Sequence, residues 1–251
     1  MLVEGAGLFL LGKLCRQSTT YDIASSVTAP TAPFAQASRA FTKIGENHIM
    51  IPNERILVIP SQVIVPKLGS SRSLETTIPY EELTAMIRGH HQLVDRAPAE
   101  TDNGLKQIIP YAIIRFADQV YLVKRSKRQA EARLHDLYSI GLGGHISESV
   151  DDSSDVIRAA LARELDEEMV ITGPSRVKYV GIINDDTTDV GKVHLGILHE
   201  VLLEGDYCRI REKENMTGNW CKISSLTSYY DSMESWSQIV CRYHLLTGSQ
   251  S

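Results

Sequence analysis

The stretch from Gly143 to Ile171 reads GGHISESVDDSSDVIRAALARELDEEMVI, and it decides how the rest of the chain is interpreted. Its second half carries an apolar residue at every fourth position, which is typical of one face of an α-helix. These apolar residues are Ile157, Leu161, Leu165 and Met169. Immediately before them come Ser153, Ser154 and Asp155, whose side chains can accept hydrogen bonds from the backbone N–H groups at a helix start. The stretch therefore predicts a helix that begins near Asp155.

The centre of that helix is strongly acidic, because Arg163 to Glu168 reads RELDEE. On a helix, Glu164, Glu167 and Glu168 stand at positions i, i+3 and i+4, so their carboxylates share one face. Like charges in this arrangement repel each other unless a cation neutralises them. Carboxylates are the ligands that hard cations such as Mg²⁺ or Mn²⁺ prefer. A solvated acidic surface is the alternative interpretation, and the six residues alone favour neither.

A glycine pair ahead of the helix, placed after an apolar strand-like run, favours the metal-binding interpretation. With these residues the chain resembles the Nudix (MutT-like) hydrolases. Their motif is a glycine, five residues, a glutamate, seven residues, Arg-Glu, an apolar residue, any residue, and Glu-Glu-x-Gly. Arg163 to Glu168 matches the second half of this motif, and Asp155 stands where the first glutamate is expected.

Two departures from the family motif affect the expected structure. Gly144 lies about five residues too early, which implies an inserted loop from Ser147 to Ser153. Val170 replaces the glycine after the glutamate pair, so we expect the helix to run on and stop near Gly173-Pro174.

The resemblance implies a reaction and a set of residues for it. The reaction is divalent-metal-dependent hydrolysis of a diphosphate linked to a further moiety, most simply a nucleotide-type compound, with water attacking phosphorus. Arg163 would orient the carboxylates and count with them as catalytic. Lys124 and Arg125, at a strand end, would meet substrate phosphate, although a solvated strand end explains them equally well. The metal ligands would be Glu164, Glu167, Glu168, the carbonyl of Gly144, and Asp155.

Several of these assignments have open alternatives. Asp155 competes with Glu148 for the place of the first motif glutamate. Both could instead be helix-start residues that favour the helix dipole, and for Asp155 this role explains the residue as well as ligation does. His145 either approaches the metal or packs under the loop. The general base is also open, and the eligible residues are Glu164, Asp185, Asp186, Glu212 and Glu214.

The order of elements along the chain predicts an α/β fold. The resemblance specifies it as a Nudix-type α/β/α sandwich with a mixed β-sheet, plus a small N-terminal subdomain. Several strand sequences resemble a bacterial branch of the family that is described only as predicted phosphoesterases. We expect a flexible N-terminal extension over 1–45, an α+β subdomain over 46–104 and the Nudix domain over 105–251. A translation start near Met50 would explain the composition of the extension equally well.

Outside the segment that carries the motif, residue patterns predict the following secondary structure. We expect one bent strand or two short strands over Glu54 to Val65 and a helix over Tyr80 to Leu93. Arg96 to Asn103 reads as a polar linker, and Ser224 to Leu246 as a single closing helix.

Composition narrows the class of protein. A net charge of −5 argues against a chain whose main task is to bind a nucleic-acid duplex, while a small phosphorylated substrate needs only a local basic pocket. The early apolar run from Gly5 to Gly12 is too short to span a bilayer, so we expect no membrane partner. Four scattered cysteines suit reduced thiols in the cytoplasm, and homodimerisation is left open.

The alternative function is a catalytically silent Nudix-like module that binds a ligand and regulates a partner.

Overall fold

The computed structural model describes residues 20–22, 54–125, 137–148, 155–211 and 216–247 of the 251-residue chain. Its strands are, in chain order, β1 (Thr20–Asp22), β2 (Arg55–Pro60), β3 (Arg72–Glu75), β4 (Gln92–Asp95), β5 (Leu105–Phe116), β6 (Gln119–Arg125), β7 (Tyr138–Ser139), β8 (Gly141–Gly143), β9 (Met169–Ile171), β10 (Ser175–Asp185), β11 (His194–Leu203), β12 (Cys208–Ile210) and β13 (Met216–Lys222). Its α-helices are α1 (Ser61–Ile64), α2 (Tyr80–His90), α3 (Arg96–Ala99), α4 (Val156–Glu168), α5 (Asp189–Val193) and α6 (Ser235–Val240).

Eleven of these strands form one mixed sheet, as the sequence predicts. Its main path runs β1-β10-β11-β5-β2-β4, while β3, β6, β7, β8 and β13 attach beside it. The β5–β11 pair is parallel, from His194 beside Gln107 to Leu203 beside Phe116. The remaining pairs are antiparallel, including the β5–β6 hairpin that the sequence predicts. Strands β9 and β12 form a separate small sheet.

Helices cover both faces of the large sheet. Side chains alternate along a strand, so neighbours on β5 belong to different cores. Ala112 and Ile114 pack with residues of α4, whereas Tyr111 and Ile113 pack with residues of α6. Helix α2 packs in a further core that also contains the first turn of α4. This arrangement confirms the predicted α/β/α sandwich.

The N-terminal segment contributes strands to the same sheet. β2 pairs with β5 and β3 pairs with β10, so strands from both sides of the boundary predicted at 104/105 are hydrogen-bonded together. The division into a subdomain over 46–104 and a domain over 105–251 stays a prediction. Within the segment predicted as a flexible extension, Thr20–Asp22 instead forms an edge strand on β10. The rest of residues 1–45 lies outside the described residues.

Three local predictions in the N-terminal half need correction. After Pro60 the second apolar run is the helical turn α1, in which only Ile64 is buried, and not a strand. The helix predicted over Tyr80 to Leu93 ends at His90, since Gln92–Asp95 pairs with β2. The predicted linker after Asp95 contains the short helix α3, whose Ala99 is buried.

Helix α4 also ends earlier than predicted, at Glu168 and not near Gly173-Pro174. Arg211 fixes this end. Its N–H donates to the carbonyl of Glu168 at 2.8 Å, and its guanidinium donates to the carbonyls of Asp166 and Met169. Met169 and the β-branched Val170 and Ile171 pair with β12, so the chain leaves the helix for a strand.

The single closing helix predicted over Ser224 to Leu246 is also wrong. Two 3₁₀ turns come first, and α6 starts only at Ser235 before continuing as a π-helix over Cys241–Leu245. Glu234 sets this start, because its carboxylate accepts the N–H groups of Trp236 and Ser237. The Tyr111 hydroxyl, from β5, donates to the same carboxylate at 2.7 Å and ties the helix start to the sheet.

A buried carboxylate joins the central strands to the C-terminal segment and makes stability depend on pH. Glu200, on β11, lies 2.6 Å from Arg115 and 3.1 Å from His244. Burial alone would raise the pKa of Glu200, but hydrogen bonds from His244 and Arg115 outweigh it and lower the pKa to about 2. The ionised form therefore stabilises the fold above the unfolded-state pKa, and this contribution is lost as pH falls through the folded-state value.

We expect the free energy of unfolding to fall by on the order of 2–3 kcal/mol as pH drops from about 4.5 to about 2. Glu200→Gln should lower stability at pH 7 and flatten this pH dependence, because the titrating group is gone. Urea titrations at several pH values measure both effects. The exposed Glu204→Gln is the matched control, and an equal flattening in that variant would contradict the assignment to Glu200.

Candidate active site

The start of α4 is held by Asp155. Its carboxylate accepts the N–H of Arg158 at 3.0 Å and the hydroxyl of Tyr80 at 2.8 Å. Nine residues further on, Glu164 is about 13 Å away along the helix. The structure thus places Asp155 at the helix start, one of the two roles that the sequence left open, and its role as a metal ligand stays a prediction. Its competitor Glu148 pairs with Arg55 at 2.9 Å.

Arg163 ties the acidic part of α4 to the turn that follows β8. Its Nη2 atom lies 2.7 Å from Glu164 Oε1 and donates to the carbonyl of His145 at 2.9 Å. Its Nη1 atom lies 3.3 Å from Glu167. One guanidinium thereby contacts two carboxylates and the turn, and this geometry is compatible with the orienting role predicted for Arg163.

Gly144 brings the backbone of that turn against the helix. A Cβ atom added at Gly144 would lie 2.4 Å from Glu164 Oε1, which is closer than real Cβ contacts come. Glycine therefore allows the main chain to approach the carboxylate without displacing it. The Glu164 side chain is only 12% exposed, whereas that of Glu167 is 57% exposed, so Glu164 faces the turn and Glu167 faces solvent.

The three glutamates do not form a compact trio of ligand atoms. Within the described ranges, the one set of three His, Cys, Asp or Glu ligand atoms lying within 4.8 Å of one another comes from Glu100, His145 and His194. At the acidic helix, Arg163 already offsets the repulsion between Glu164 and Glu167. The donor chemistry at α4 still suits a hard dication, because carboxylates and a glycine-exposed backbone adjoin there.

The histidine cluster lies on the other side of the same turn. His145 Nε2 is 2.7 Å from Gln107 Oε1 and 3.3 Å from His194 Nε2. Burial, and then the charges of Arg96 and His194, lower the pKa of His145 to about 3. His145 therefore packs under the loop in its neutral form. No local pattern in the sequence points to Glu100 or His194, since each lies in a segment predicted as a linker or a plain strand.

Comparison with known proteins identifies the family. No family model matches the chain. Protein YmaB of Bacillus subtilis (strain 168) is 39% identical over 166 residues, which cover 63% of this chain and 81% of that protein. The crystal structure of Tm1382, a candidate Nudix hydrolase, aligns with a TM-score of 0.63 and 29% identity, over 75% of this chain and 97% of that one.

This chain is a Nudix hydrolase. The resemblance drawn from Arg163 to Glu168 is confirmed, and with it the family-level prediction of a pyrophosphohydrolase. The NUDIX domain of Shewanella oneidensis NrtR, solved with ADP ribose, gives a TM-score of 0.43 and 16% identity over 58% of this chain and 89% of that one. In the described part of the chain, no helix is long and apolar enough to cross a membrane.

Helix α4 lies on one face of the sheet, and Lys124, which is predicted to contact substrate phosphate, lies on the other. Along β6, Tyr121 and Val123 pack in the core of α4, whereas Val120 and Leu122 pack in the core of α6. Lys124 alternates onto the latter face, where its Nζ atom lies 5.2 Å from the centre of the Tyr138 ring. A contact between Lys124 and substrate phosphate stays a prediction. The side chain of its neighbour Arg125 lies outside the described residues.

Two of the residues eligible as the general base, Asp185 and Asp186, already have side-chain partners. Asp185 is fully buried and accepts hydrogen bonds from the N–H and hydroxyl of Thr187. Asp186 lies 2.5 Å from the buried ammonium of Lys106. Glu212 and Glu214 lie outside the described residues. Among the candidates described, Glu164 alone adjoins the glycine turn.

We expect Gly144→Ala to reduce metal-dependent turnover by about 100-fold, because displacing the Glu164 carboxylate by roughly 1 Å misaligns the reacting groups. Steady-state phosphate release measures this. Gly89→Ala is the matched control, since an added Cβ there meets nothing within 4 Å. Gly89→Ala should keep full turnover and gain about 0.5–1 kcal/mol of stability. Equal turnover in both variants would contradict the contact between Gly144 and Glu164.

Asp155 offers a direct test of helix capping against metal binding. Asn caps helices as well as Asp does but carries no charge. We therefore expect Asp155→Asn to retain most of its turnover and metal affinity, while Asp155→Ala loses about 1–2 kcal/mol of stability in urea unfolding. A loss of metal affinity in Asp155→Asn, with stability preserved, would instead identify Asp155 as a metal ligand.

Proposed function

We propose that this Nudix hydrolase cleaves a phosphoanhydride bond in a diphosphate linked to a further moiety, by attack of water at phosphorus. The cofactor is Mg²⁺ or Mn²⁺. Glu164, Glu167 and Glu168 supply its carboxylate ligands, and the carbonyl of Gly144 supplies a further oxygen. These are the ligand types that hard dications select. When bound, the metal neutralises substrate phosphate and lowers the pKa of a coordinated water.

The observation that supports this proposal most is the linkage made by Arg163. It connects the acidic helix to the glycine turn through Glu164 at 2.7 Å and the His145 carbonyl at 2.9 Å. A merely solvated acidic face would need neither the backbone approach of Gly144 nor an arginine shared between two carboxylates and a carbonyl. Both features limit the movement of donor groups, and fixed donors reduce the reorganisation needed during the reaction.

The chain's own residues have separable roles in this scheme. Arg163 positions the glutamates and the turn through charge-assisted hydrogen bonds, so it acts through other groups. Glu164 is held against Gly144 and is shielded from solvent. Glu167, which is more exposed, has room to swing from Arg163 toward a cation. Glu168 lies one turn beyond Glu164 on the same helix face.

The substrate is proposed to be a small phosphorylated compound of the nucleotide type, and the reaction to take place in the cytoplasm. The free thiols of Cys208, Cys221 and Cys241 agree with a reducing compartment. Arg125 stays a candidate contact for substrate phosphate.

Removing the two adjacent glutamates tests the proposal. Glu167→Gln together with Glu168→Gln should abolish Mg²⁺-dependent phosphate release, because two of the three anionic ligands become neutral. Asp166→Asn is the matched control on the same helix, as its side chain is 84% exposed and pairs with Arg211. Unchanged turnover in the double variant would contradict the assignment.

The assay should use a panel of nucleoside di- and triphosphates, sugar nucleotides, dinucleotides and prenyl diphosphates with Mg²⁺ and with Mn²⁺. Hydrolysis of one class would identify the moiety attached to the diphosphate. Binding of a compound without its hydrolysis would instead favour a ligand-binding regulatory module.

A further inference from the structure

Three side chains from distant parts of the chain converge beside the glycine turn. Glu100 follows α3, His145 follows Gly144, and His194 opens β11. One ligand atom from each lies within 4.8 Å of the other two. We propose that these residues form a second metal site, distinct from the acidic helix, for a transition-metal dication such as Zn²⁺.

The spacing of the two imidazoles matches joint ligation of one ion. Nitrogen ligands lie about 2.0–2.1 Å from a tetrahedral Zn²⁺, so two of them are about 3.3–3.4 Å apart. His145 Nε2 and His194 Nε2 are 3.3 Å apart. The carboxylate of Glu100 is 4.0 Å from His194 Nε2 and 31% exposed, so a small side-chain rotation completes the third contact from the solvent side.

The outer contacts orient these ligands as metal sites require. His194 Nδ1 lies 2.7 Å from the carbonyl of Val190, which can only accept a hydrogen bond. In the neutral ring, the Nε2 atom of His194 therefore carries the lone pair and points at His145. Glu100 is held through its other oxygen, Oε1, which lies 3.3 Å from Arg96 Nε. Arg96 also pairs with Glu54 at 2.8 Å, so two carboxylates offset its positive charge.

Gln107 supplies a further oxygen beside the two histidines. Its Nε2 donates to the carbonyl of Ala99 at 3.2 Å, which turns its Oε1 toward His145 Nε2 at 2.7 Å. With a metal bound, His145 would use the Nδ1–H tautomer and direct the Nε2 lone pair at the ion. A purely structural network, in which His145 Nε2–H simply donates to Gln107, is the competing interpretation and predicts no metal uptake.

The two donor sets select different metals. Two imidazoles with one carboxylate suit Zn²⁺, Co²⁺ and related ions, whereas an all-oxygen set suits Mg²⁺ or Mn²⁺. The sites nevertheless share one structural part. The carbonyl of His145 accepts a hydrogen bond from Arg163, and its neighbour Gly144 contacts Glu164. A cation on the His145 side chain would therefore help to fix the turn on which the acidic helix rests.

Titration of the metal-stripped full chain with Co²⁺, in excess Mg²⁺, tests the proposal. We expect one Co²⁺ per chain, the visible absorption of a four-coordinate histidine-containing complex, and displacement by Zn²⁺. Saturating Zn²⁺ should raise the unfolding midpoint by about 5–10 °C at 100 times the dissociation constant. His145→Gln and His194→Gln should abolish the spectrum, and Glu100→Gln should weaken Co²⁺ binding at least tenfold.

Two controls separate this site from others. His90→Gln together with His91→Gln removes two exposed histidines and should leave the Co²⁺ spectrum unchanged. The Glu167→Gln, Glu168→Gln double variant should also retain it, so failure of the proposed hydrolase chemistry would not affect this result. Absence of Co²⁺ uptake by the wild-type chain would overturn the proposal, as would an undiminished spectrum in His145→Gln and His194→Gln. If a histidine variant fails to fold, the tenfold loss expected for the partly exposed Glu100→Gln decides the outcome.

Discussion

The structure depends on the pairing of β5, whose backbone runs through the middle of the molecule. Nine consecutive residues of this strand, from Lys106 to Ile114, are buried, so their N–H and C=O groups must find partners inside the protein. Strand β11 pairs with it in parallel, while β2, β8 and β6 pair with it antiparallel at different positions. Two of these pairings bring candidate site residues into place. β8 delivers the glycine turn to α4, and β11 delivers His194 to Gln107.

The acidic helix could be predicted because its determinants are local. An apolar residue at every fourth position fixes the buried face, and Asp155 fixes the first turn through a bond to a residue three positions away. The placement of Glu164, Glu167 and Glu168 on one helix face follows from the same periodicity. The end of the helix is different, because it is set by Arg211, which is 43 residues beyond Glu168 and gives no sign of this role in the sequence around α4. The start of α6 could not be predicted for the same reason. The Glu234 carboxylate that caps it is held by the hydroxyl of Tyr111, which is distant in the sequence.

The histidine cluster could not be predicted, since its members are brought together only by strand register. His194 lies beside Gln107 because β11 and β5 pair in parallel with one particular alignment, and a shift by one residue would turn His194 to the opposite face. Glu100 then depends on α3, a four-residue helix within a polar segment that carries too few apolar residues to show a period. The face that Lys124 occupies could not be predicted for a related reason, because position at a strand end does not say which face of the sheet the side chain takes.

The turn at Gly144 and His145 is therefore shared by two chemically different sets of donors. Its backbone serves the carboxylates of α4, and its one imidazole serves a nitrogen-rich cluster with His194. Strong transition-metal ligands placed directly among the glutamates would favour Zn²⁺ over Mg²⁺ at the site that we propose for hydrolysis. In the proposed arrangement the glycine turn separates the histidines from the glutamates, which avoids that competition. Arg163 still connects the two groups through its hydrogen bond to the carbonyl of His145. Gly144 suits this arrangement, because a side chain at that position would occupy the space in which the turn meets the Glu164 carboxylate.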